Sequence, residues 1–177
     1  MKVAVLSDVH DHVWNLRAAL DAVREADALV FCGDFCSPFV VPLLAEGFPG
    51  PIHAVFGNND GDLFRIAQNA ARFDHVQLHA ELFAGELGGR PVAVNHYPEI
   101  ALGLADSGRF DLVCYGHNHR FAVEAQGSAL TVNPGTLLGY DPAERRDVAP
   151  TFAVYDTANG EAQLFSVGPQ GGVAPLA

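Results

Sequence analysis

Five short polar clusters follow apolar runs along this chain, and this arrangement constrains the fold more than any other feature. Each run has the length and the β-branched or aromatic content of a buried strand. In open α/β sheets ligands bind beyond the carboxyl ends of the strands, so the clusters are expected to meet along one edge of a sheet. The runs cover residues 3–6, 29–31, 52–56, 92–94 and 112–115, and the clusters are Asp8-Val9-His10, Gly33-Asp34, Gly57-Asn58-Asn59-Asp60, Asn95-His96 and Gly116-His117-Asn118-His119.

Helical spacing separates several of these strands. Leu16, Leu20 and Val23 fall on one face and predict a helix that packs on the sheet. Ser37 as N-cap, with Pro38 after it, predicts a second helix ending at Gly47. Two more helices are predicted over residues 63–72 and 100–106, and antiparallel strands of a second sheet or an extension over 121–124, 129–132, 151–155 and 162–165. The predicted class is α/β, with two packed β-sheets flanked by helices.

The length and hydrophobicity of the chain indicate one domain. With 177 residues, 49% of them hydrophobic, the chain can bury one sizeable core. We expect this domain to span residues 1–167, and residues 168–177, rich in Gly, Pro and Ala, to form a flexible tail. A secretory signal pattern and an apolar stretch of ~18 residues are both missing, which predicts a cytoplasmic protein without a membrane segment.

The acidic balance limits the class of substrate. The formal net charge is −11, which disfavours binding of a nucleic acid polymer through its phosphate backbone. A small anionic substrate would have to be attracted locally, by bound cations. Arg145 and Arg146 either steer such a substrate or form a solvated patch with Glu144 and Asp147, and the solvated patch is favoured.

Three cysteines cannot all pair within one chain, so disulfides are not expected. Cys32 and Cys36 flank Asp34, and a thiolate metal ligand is conceivable there. Buried structural thiols are favoured, because Cys is one of the most often buried residue types. Cys114 lies in an apolar run and is expected in the core.

The donor types in the clusters point to metal ions. Asp8 and His10 are two residues apart, so in an extended segment both side chains project the same way and could hold one ion. The Asp34 carboxylate has two oxygens and could bridge two ions. A mixed set of nitrogen and oxygen donors suits Mn, Fe, Ni, Co or Zn better than Ca or Mg.

With these motifs in this order, the chain resembles the calcineurin-like metallophosphoesterases. Their pattern is Asp-x-His, Gly-Asp, Gly-Asn-His-Asp/Glu, a lone His and Gly-His-x-His, and here it runs from Asp8 to His119. Asn133-Pro134-Gly135-Thr136 is similar to a turn of the small bacterial and archaeal phosphodiesterases of that family. The resemblance implies a four-layer α/β/β/α sandwich of two mixed sheets.

The resemblance also implies two divalent metal sites. Asp8, His10, Asp34 and His119 would hold the first ion, and Asp34, Asn58, His96 and His117 the second, with Asp34 as the bridge. Manganese is the first choice of metal, with Ni, Fe, Co or Zn as alternatives. The implied reaction is hydrolysis of a small phosphodiester by a hydroxide that the two metals activate.

Two departures from the family pattern concern catalysis. Asn59 stands where much of the family has the histidine that contacts phosphate and assists the leaving group, and the small phosphodiesterase branch commonly lacks this histidine. Asn59 could still donate its amide hydrogens, but it cannot transfer a proton; His12 is a candidate replacement acid. The second departure is His96-Tyr97-Pro98, where many relatives have His-Gly-His, so a phosphate contact is missing or moved.

Two other functions stay open. A retromer subunit of eukaryotes shares this resemblance but works mainly as a protein-binding scaffold with an impaired metal site. A nuclease fits the reaction type but conflicts with the negative charge. Relatives also form dimers or larger assemblies, so a homo-oligomer is possible.

Overall fold

A computed structural model describes residues 1–176 of the chain. It contains two large β-sheets, a short hairpin and four helices. The helices are α1 (Val13–Ala22), α2 (Val40–Gly47), α3 (Leu63–Ala70) and α4 (Pro98–Asp106). The strands are β1 (Lys2–Leu6), β2 (Ala28–Phe31), β3 (Ile52–Ala54), β4 (Val76–Leu78), β5 (Leu82–Leu87), β6 (Arg90–Asn95), β7 (Leu112–Cys114), β8 (Ala122–Gln126), β9 (Ala129–Asn133), β10 (Tyr140–Asp141), β11 (Arg146–Asp147), β12 (Thr151–Asp156), β13 (Glu161–Val167) and β14 (Val173–Pro175).

Both large sheets are mixed. The seven-stranded sheet has the order β14-β13-β12-β1-β2-β3-β4, in which β1 to β4 are parallel and β12 to β14 extend the sheet in antiparallel fashion. The five-stranded sheet has the order β5-β6-β7-β9-β8, with a parallel centre and antiparallel edge strands. Helices connect the successive parallel strands from β1 to β4 and from β6 to β7, whereas the edge strand β8 lies in the connection from β7 to β9.

Alternation along the strands produces four layers. In β1, Val3 and Val5 face the core between the two sheets, whereas Ala4 and Leu6 pack with α1 and α2 on the other side. On the five-stranded sheet, Val113 packs with α4. Strands buried on both faces need continuous apolar runs, which explains the runs in the sequence. The predicted α/β sandwich of two packed mixed β-sheets flanked by helices is confirmed.

The prediction that the polar clusters share the edge of one sheet was wrong. Asp8, Asp34 and Asn58 follow strands of the seven-stranded sheet, while His96 and His117 follow strands of the five-stranded sheet. The carboxyl ends of these strands meet at one end of the sandwich. The later strands also divide: β8 and β9 join the five-stranded sheet, and β12 and β13 join the seven-stranded sheet.

Ser37 does not cap α2, so that prediction was wrong. The helix begins at Val40, and its N-cap residue Phe39 makes no side-chain capping bond. The Ser37 hydroxyl instead donates to Asp11 Oδ2 at 2.7 Å, and the Ser37 backbone N–H donates to Asp11 Oδ1 at 2.9 Å. The half-buried Asp11 carboxylate therefore binds Ser37, and Ser37 does not cap the helix.

The predicted flexible tail contains regular structure. β14 pairs with β13 in antiparallel register from Val167↔Val173 to Phe165↔Pro175. The sheet thus gains its outermost strand from residues predicted to fray. Ala177, the last residue of that predicted tail, lies outside the described residues. Across residues 1–176, no helix combines the length and the apolar character that crossing a bilayer requires.

Candidate metal centre

Five of the seven predicted metal ligands stand on sharp backbone turns near the strand ends. Asp8, His10, Asp34, His117 and His119 all have positive φ, between 43° and 73°. Few residues other than glycine adopt this region, and such strained positions persist only where the surroundings hold them. Here the turns aim the side chains into the space where the two sheets meet.

One group of donors forms around Asp8. His119 Nε2 lies 3.3 Å and His10 Nε2 lies 3.7 Å from Asp8 Oδ1, and the two imidazole nitrogens are 3.1 Å apart. Asp8 and His119 are buried, and His10 is half-buried. One carboxylate and two imidazoles thus present ligand atoms to a common point.

Asp34 lies between this group and a second one. Its Oδ2 atom is 3.4 Å from His10 Nε2 and 3.5 Å from His96 Nε2. Asn58 Oδ1 continues the chain of contacts, 3.0 Å from His96 Nε2 and 2.8 Å from His117 Nδ1. The structure therefore brings all seven predicted ligand side chains into one continuous cluster, with the exposed Asn58 and His117 at its mouth.

Two glycines allow this close packing. A Cβ on Gly57 would overlap Asp34 Oδ1, and a Cβ on Gly116 would lie 2.5 Å from Asp8 Oδ2 and collide with Ser7 Oγ. The backbone after β3 and β7 can pass so near the carboxylates only without a side chain.

Three histidines have their Nδ1 atoms anchored away from the carboxylates. His96 Nδ1 is 2.7 Å from the Cys32 carbonyl oxygen, and His119 Nδ1 is 2.6 Å from the Tyr140 carbonyl oxygen. Such contacts leave Nε2 free for a metal. For His10 the partner is a side chain: Cys36 Sγ lies 3.3 Å from His10 Nδ1.

Sequence reasoning missed the contacts made by Cys36 and Tyr140. Cys36 is half-buried, with φ +69°, and is neither a core thiol nor one of the clustered ligands. Its position two residues after Asp34 was the available signal. Cys32 and Cys114 are buried as predicted. Partial burial of Cys36 raises the pKa of its thiol to about 12.

Further side chains tie the loops together. The Asp60 carboxylate accepts the backbone N–H groups of Gly57 at 2.7 Å and Cys36 at 3.0 Å. Thr136, from the Asn-Pro-Gly-Thr turn, donates its hydroxyl to the Asp8 carbonyl oxygen at 2.9 Å. The loops after β1, β2, β3 and β9 thus support one another beneath the cluster.

The carboxylates and imidazoles of the cluster shift each other's pKa. Burial alone would raise the pKa of Asp8, but the neighbouring His10 and His119 outweigh it and hold that pKa well below its usual value. Burial would also raise the pKa of Asp34, but the interactions of its carboxylate with the His96 imidazole outweigh burial and lower that pKa. Conversely, burial would lower the pKa of His96 and His119, but Asp34 and Asp8 raise it.

One atom shows that the cluster fits a cation. Asp8 Oδ1 is buried and makes no hydrogen bond among the described residues, because neither nearby imidazole has suitable geometry. An unpaired buried carboxylate oxygen is costly unless a cation meets it. The same oxygen belongs to a set of nitrogen and oxygen donors that suits a divalent transition metal.

Two predicted catalytic side chains are not among the clustered donors. Asn59 contacts Asp34, to which its Nδ2 donates at 2.9 Å. His12 is the N-cap of α1: its Nδ1 accepts the Asn15 backbone N–H at 3.3 Å, and its ring packs edge-on against Trp14. The catalytic roles of Asn59 and His12 stay predictions.

Comparison with known proteins now identifies the family. The sequence model of the calcineurin-like phosphoesterase superfamily domain matches residues 1–160. The chain belongs to the calcineurin-like phosphoesterase superfamily. The resemblance seen in the sequence is thereby confirmed, and the family implies divalent metal ions, for which the cluster supplies suitable donors.

Two phosphodiesterases are similar to this chain over most of its length. Phosphodiesterase MJ0936 of Methanocaldococcus jannaschii is 30% identical over 165 residues, 91% of this chain and 96% of that protein. The solved structure of a novel archaeal phosphodiesterase superposes with a TM-score of 0.83 at 27% identity, covering 94% of this chain and 99% of the other. These matches support a metal-dependent hydrolase of phosphoester bonds.

A more distant likeness shows the fold alone. Vacuolar protein sorting 29 from Cryptosporidium parvum superposes with a TM-score of 0.73 at 19% identity, over 99% of this chain and 95% of the other. The calcineurin-like phosphoesterase fold therefore also occurs in a sorting protein.

Proposed function

We propose that the protein is a binuclear metal-dependent phosphodiesterase that hydrolyses a small anionic phosphodiester. One observation carries this proposal: Asp34 Oδ2 lies at nearly equal distances, 3.4 Å and 3.5 Å, from His10 Nε2 and His96 Nε2. A carboxylate placed between imidazoles of two donor groups is suited to bridge two cations.

The donors divide between the two proposed ions. Asp8, His10, Asp34 and His119 would hold the first ion, and Asp34, Asn58, His96 and His117 the second. A histidine that binds a metal is neutral, so among these donors only Asp8 and Asp34 would carry charge, and two divalent ions would leave the site positive within an acidic protein. Such a site would attract an anionic phosphodiester. Manganese is the metal we propose first, with Fe, Ni, Co or Zn as alternatives.

The chain's own residues then have distinct tasks. Divalent ions in such a site lower the pKa of water and neutralise charge on phosphoryl oxygens. The buried residues Asp8, Asp34, His96 and His119 fix the donor geometry, since their surroundings leave them little freedom. Asn58 and His117 stand at the exposed mouth, where a phosphate would enter.

Asn59 supports a diester rather than a monoester as substrate. Asn59 stands where much of the family has a histidine, and the small phosphodiesterase branch commonly lacks that histidine. An amide cannot transfer a proton to a leaving group, and the Asn59 amide already donates to Asp34. We propose His12 as the candidate acid. Its Nδ1 accepts the Asn15 N–H, so Nε2 is the nitrogen through which it would exchange a proton.

The test combines metal analysis with turnover. Protein purified without added metal is analysed for bound elements, then assayed with Mn²⁺ on bis(p-nitrophenyl) phosphate and on p-nitrophenyl phosphate. We expect two ions per chain and faster hydrolysis of the diester. Asp34→Asn should lose one or both ions and fall to background, whereas the surface variant Asp74→Asn should match the wild type. Full activity of Asp34→Asn would reject the assignment.

Two other functions make different predictions. A protein-binding scaffold, suggested by the fold likeness to vacuolar protein sorting 29, would show no turnover of either ester with Mn, Ni, Co, Fe or Zn. A nuclease would bind DNA with a steep dependence on salt concentration. The filled ligand set argues against the scaffold, and the net charge of −11 argues against the nuclease.

A further inference from the structure

A cavity of about 260 Å³ opens beside the metal-ligand cluster. It lies between the segment after β7 and the β10–β11 hairpin. His119 lines the cavity and also belongs to the cluster, where its Nε2 faces Asp8 Oδ1 at 3.3 Å. A substrate whose phosphate lies at the cluster could therefore extend into this cavity.

Two arginines in the cavity wall are held by carboxylates. Arg120 Nε donates to Asp141 Oδ2 at 3.2 Å, and Arg120 also donates to Glu144 Oε1 at 3.0 Å. Arg146 Nε donates to the other oxygen of Glu144. The Asp141 side chain is only 3% exposed, and it accepts the Ala143 and Glu144 backbone N–H groups. The guanidinium groups are thus positioned before any ligand arrives.

Both guanidinium groups keep unused donors. A guanidinium has five N–H donors. Among the described residues, the Arg120 guanidinium makes two hydrogen bonds to these carboxylates, and the Arg146 guanidinium makes one. Their side chains are 55% and 62% exposed. The remaining N–H groups can donate to acceptors on the edge of a bound molecule.

An aromatic ring completes the cavity. Phe121 is 53% exposed although it is large and apolar, and Val148 and Ala149 add further apolar surface. Aromatic faces stack on nucleobases, and guanidinium groups hydrogen-bond to the acceptor edges of bases.

Charge balance decides between a base and a second phosphate. The positive charges of Arg120 and Arg146 are matched by the negative charges of Asp141 and Glu144, so the cavity wall carries no net charge from these four residues. A phosphate would gain little electrostatic attraction from a wall without net charge. A neutral base with hydrogen-bond acceptors needs no such attraction and would bind through hydrogen bonds and stacking.

We propose that this cavity binds the nucleobase of a nucleotide phosphodiester whose phosphate lies at the metal-ligand cluster. This inference rests on the proposed function. The inference also assigns a role to Arg146. The ion pair between Arg146 and Glu144 agrees with the solvated patch favoured from the sequence. Because Arg146 also lines the cavity, it would contact the substrate as well.

The kinetic test compares diesters that share a leaving group. The Mn²⁺-loaded protein is assayed on p-nitrophenyl esters of adenosine and thymidine 5′-phosphate and on p-nitrophenyl methyl phosphate, which lacks a base. We expect Phe121→Ala and Arg146→Ala to raise KM for the nucleotide esters roughly fivefold or more, with kcat little changed. KM for the methyl ester should not change. Arg109→Ala, an exposed arginine that packs on Phe110, is the control.

A binding measurement keeps the inference independent of turnover. The Mn²⁺-loaded protein is titrated calorimetrically with adenosine 5′-monophosphate, thymidine 5′-monophosphate and ribose 5-phosphate. We expect the nucleotides to bind more tightly than the sugar phosphate, and both variants to remove that difference. Equal binding by the wild type, or an undiminished advantage in both variants, overturns the inference. Inorganic pyrophosphate binding that Arg146→Ala weakens, without a base effect, would assign the cavity to phosphate instead.

The two proposals can fail separately. If no ester is hydrolysed but the base still strengthens binding in a Phe121-dependent manner, the cavity assignment stands and the proposed diesterase activity fails. If the esters are hydrolysed at the same KM by the wild type and both variants, the diesterase stands and the base-binding cavity is rejected.

Discussion

Asn59 holds both oxygens of Asp34. Its backbone N–H donates to Oδ1 at 2.8 Å, and its side-chain amide donates to Oδ2 at 2.9 Å. The residue that replaces the family histidine therefore positions the carboxylate proposed to bridge two ions. A residue expected to contact substrate thus also holds the orientation of the Asp34 carboxylate.

Removal of the Asn59 amide should weaken metal binding. Asn59→Ala keeps the backbone bond to Asp34 and loses only the side-chain bond, so we expect the affinity for Mn²⁺ to fall about tenfold. Titration of metal-free protein followed by electron paramagnetic resonance of free Mn²⁺ measures the change. Asn159→Ala, in an exposed turn, is the control. Unchanged affinity would show that the backbone bond alone suffices.

Cys36 should act through His10. Because Cys36 Sγ lies 3.3 Å from His10 Nδ1, we expect Cys36→Ala to reduce Mn²⁺ affinity about tenfold, and Cys36→Ser, which keeps a polar hydrogen, to reduce it less. Cys114→Ala removes a thiol from the core and should lower stability without lowering metal affinity. Equal affinities for the wild type and Cys36→Ala would mean that His10 needs no such support.

Gly116 should not tolerate a methyl group. The added Cβ of Gly116→Ala would collide with Ser7 Oγ and lie 2.5 Å from Asp8 Oδ2, so we expect a loss of about 1–3 kcal/mol in the free energy of unfolding. Urea denaturation of the metal-free protein measures it. Gly103→Ala, within α4 and with open space around it, should instead gain about 0.5–1 kcal/mol. A neutral Gly116→Ala would mean that the Asp8 loop can shift freely.

The stability of the metal-free protein should depend on pH in a defined direction. The raised pKa values of His96 and His119 add stability that is full below 6.5 and is lost as pH rises through those values. The lowered pKa values of Asp8 and Asp34 add stability that is present above 3.8 and is lost as pH falls. We therefore expect the contribution of the cluster to be largest between pH 3.8 and 6.5. Urea denaturation of the wild type and of His96→Gln from pH 5 to 9 measures the stability that the His96 imidazole contributes and that is lost as pH rises.

Metal binding should release protons from the same imidazoles. A metal ligand must be the neutral imidazole, so the raised pKa values of His96 and His119 imply that Mn²⁺ binding displaces more protons than it would from imidazoles with ordinary pKa values. Calorimetric titrations in buffers of different ionisation enthalpy count these protons. We expect the count to grow, and the apparent affinity to fall, as pH decreases from 8 to 6. A count of zero throughout would contradict the raised pKa values.

The strands and the ligand order could be predicted because their signals are local. A buried run followed by turn residues identifies a strand end without knowledge of its neighbours, as at Val3 to Asp8. The division of the clusters between two sheets could not be predicted, because strand pairing depends on distant partners. The short strands β4 and β5 were missed for a related reason: β4 has three residues, all half-buried or exposed, and β5 carries Gly85 within it.

Local signals also failed where a distant side chain competes for a group. Ser37 followed by Pro38 is a good helix start, but Asp11, brought close by folding, takes both the hydroxyl and the backbone N–H of Ser37. The contact between Cys36 and His10 likewise depends on the positive φ angles of both residues, which no sequence pattern specified.

The position of β1 has a consequence for biosynthesis. β1 lies between β2 and β12, and the Asp8 loop is bound by the backbone N–H groups of Leu137 and Leu138, so β1 and the Asp8 loop depend on residues that are translated more than a hundred positions later. A ribosome-bound chain that already displays Asp8 and Asp34 lacks the strand and the loop that fix Asp8 in place. Capture of ions into the completed geometry must therefore wait until translation has passed residue 156.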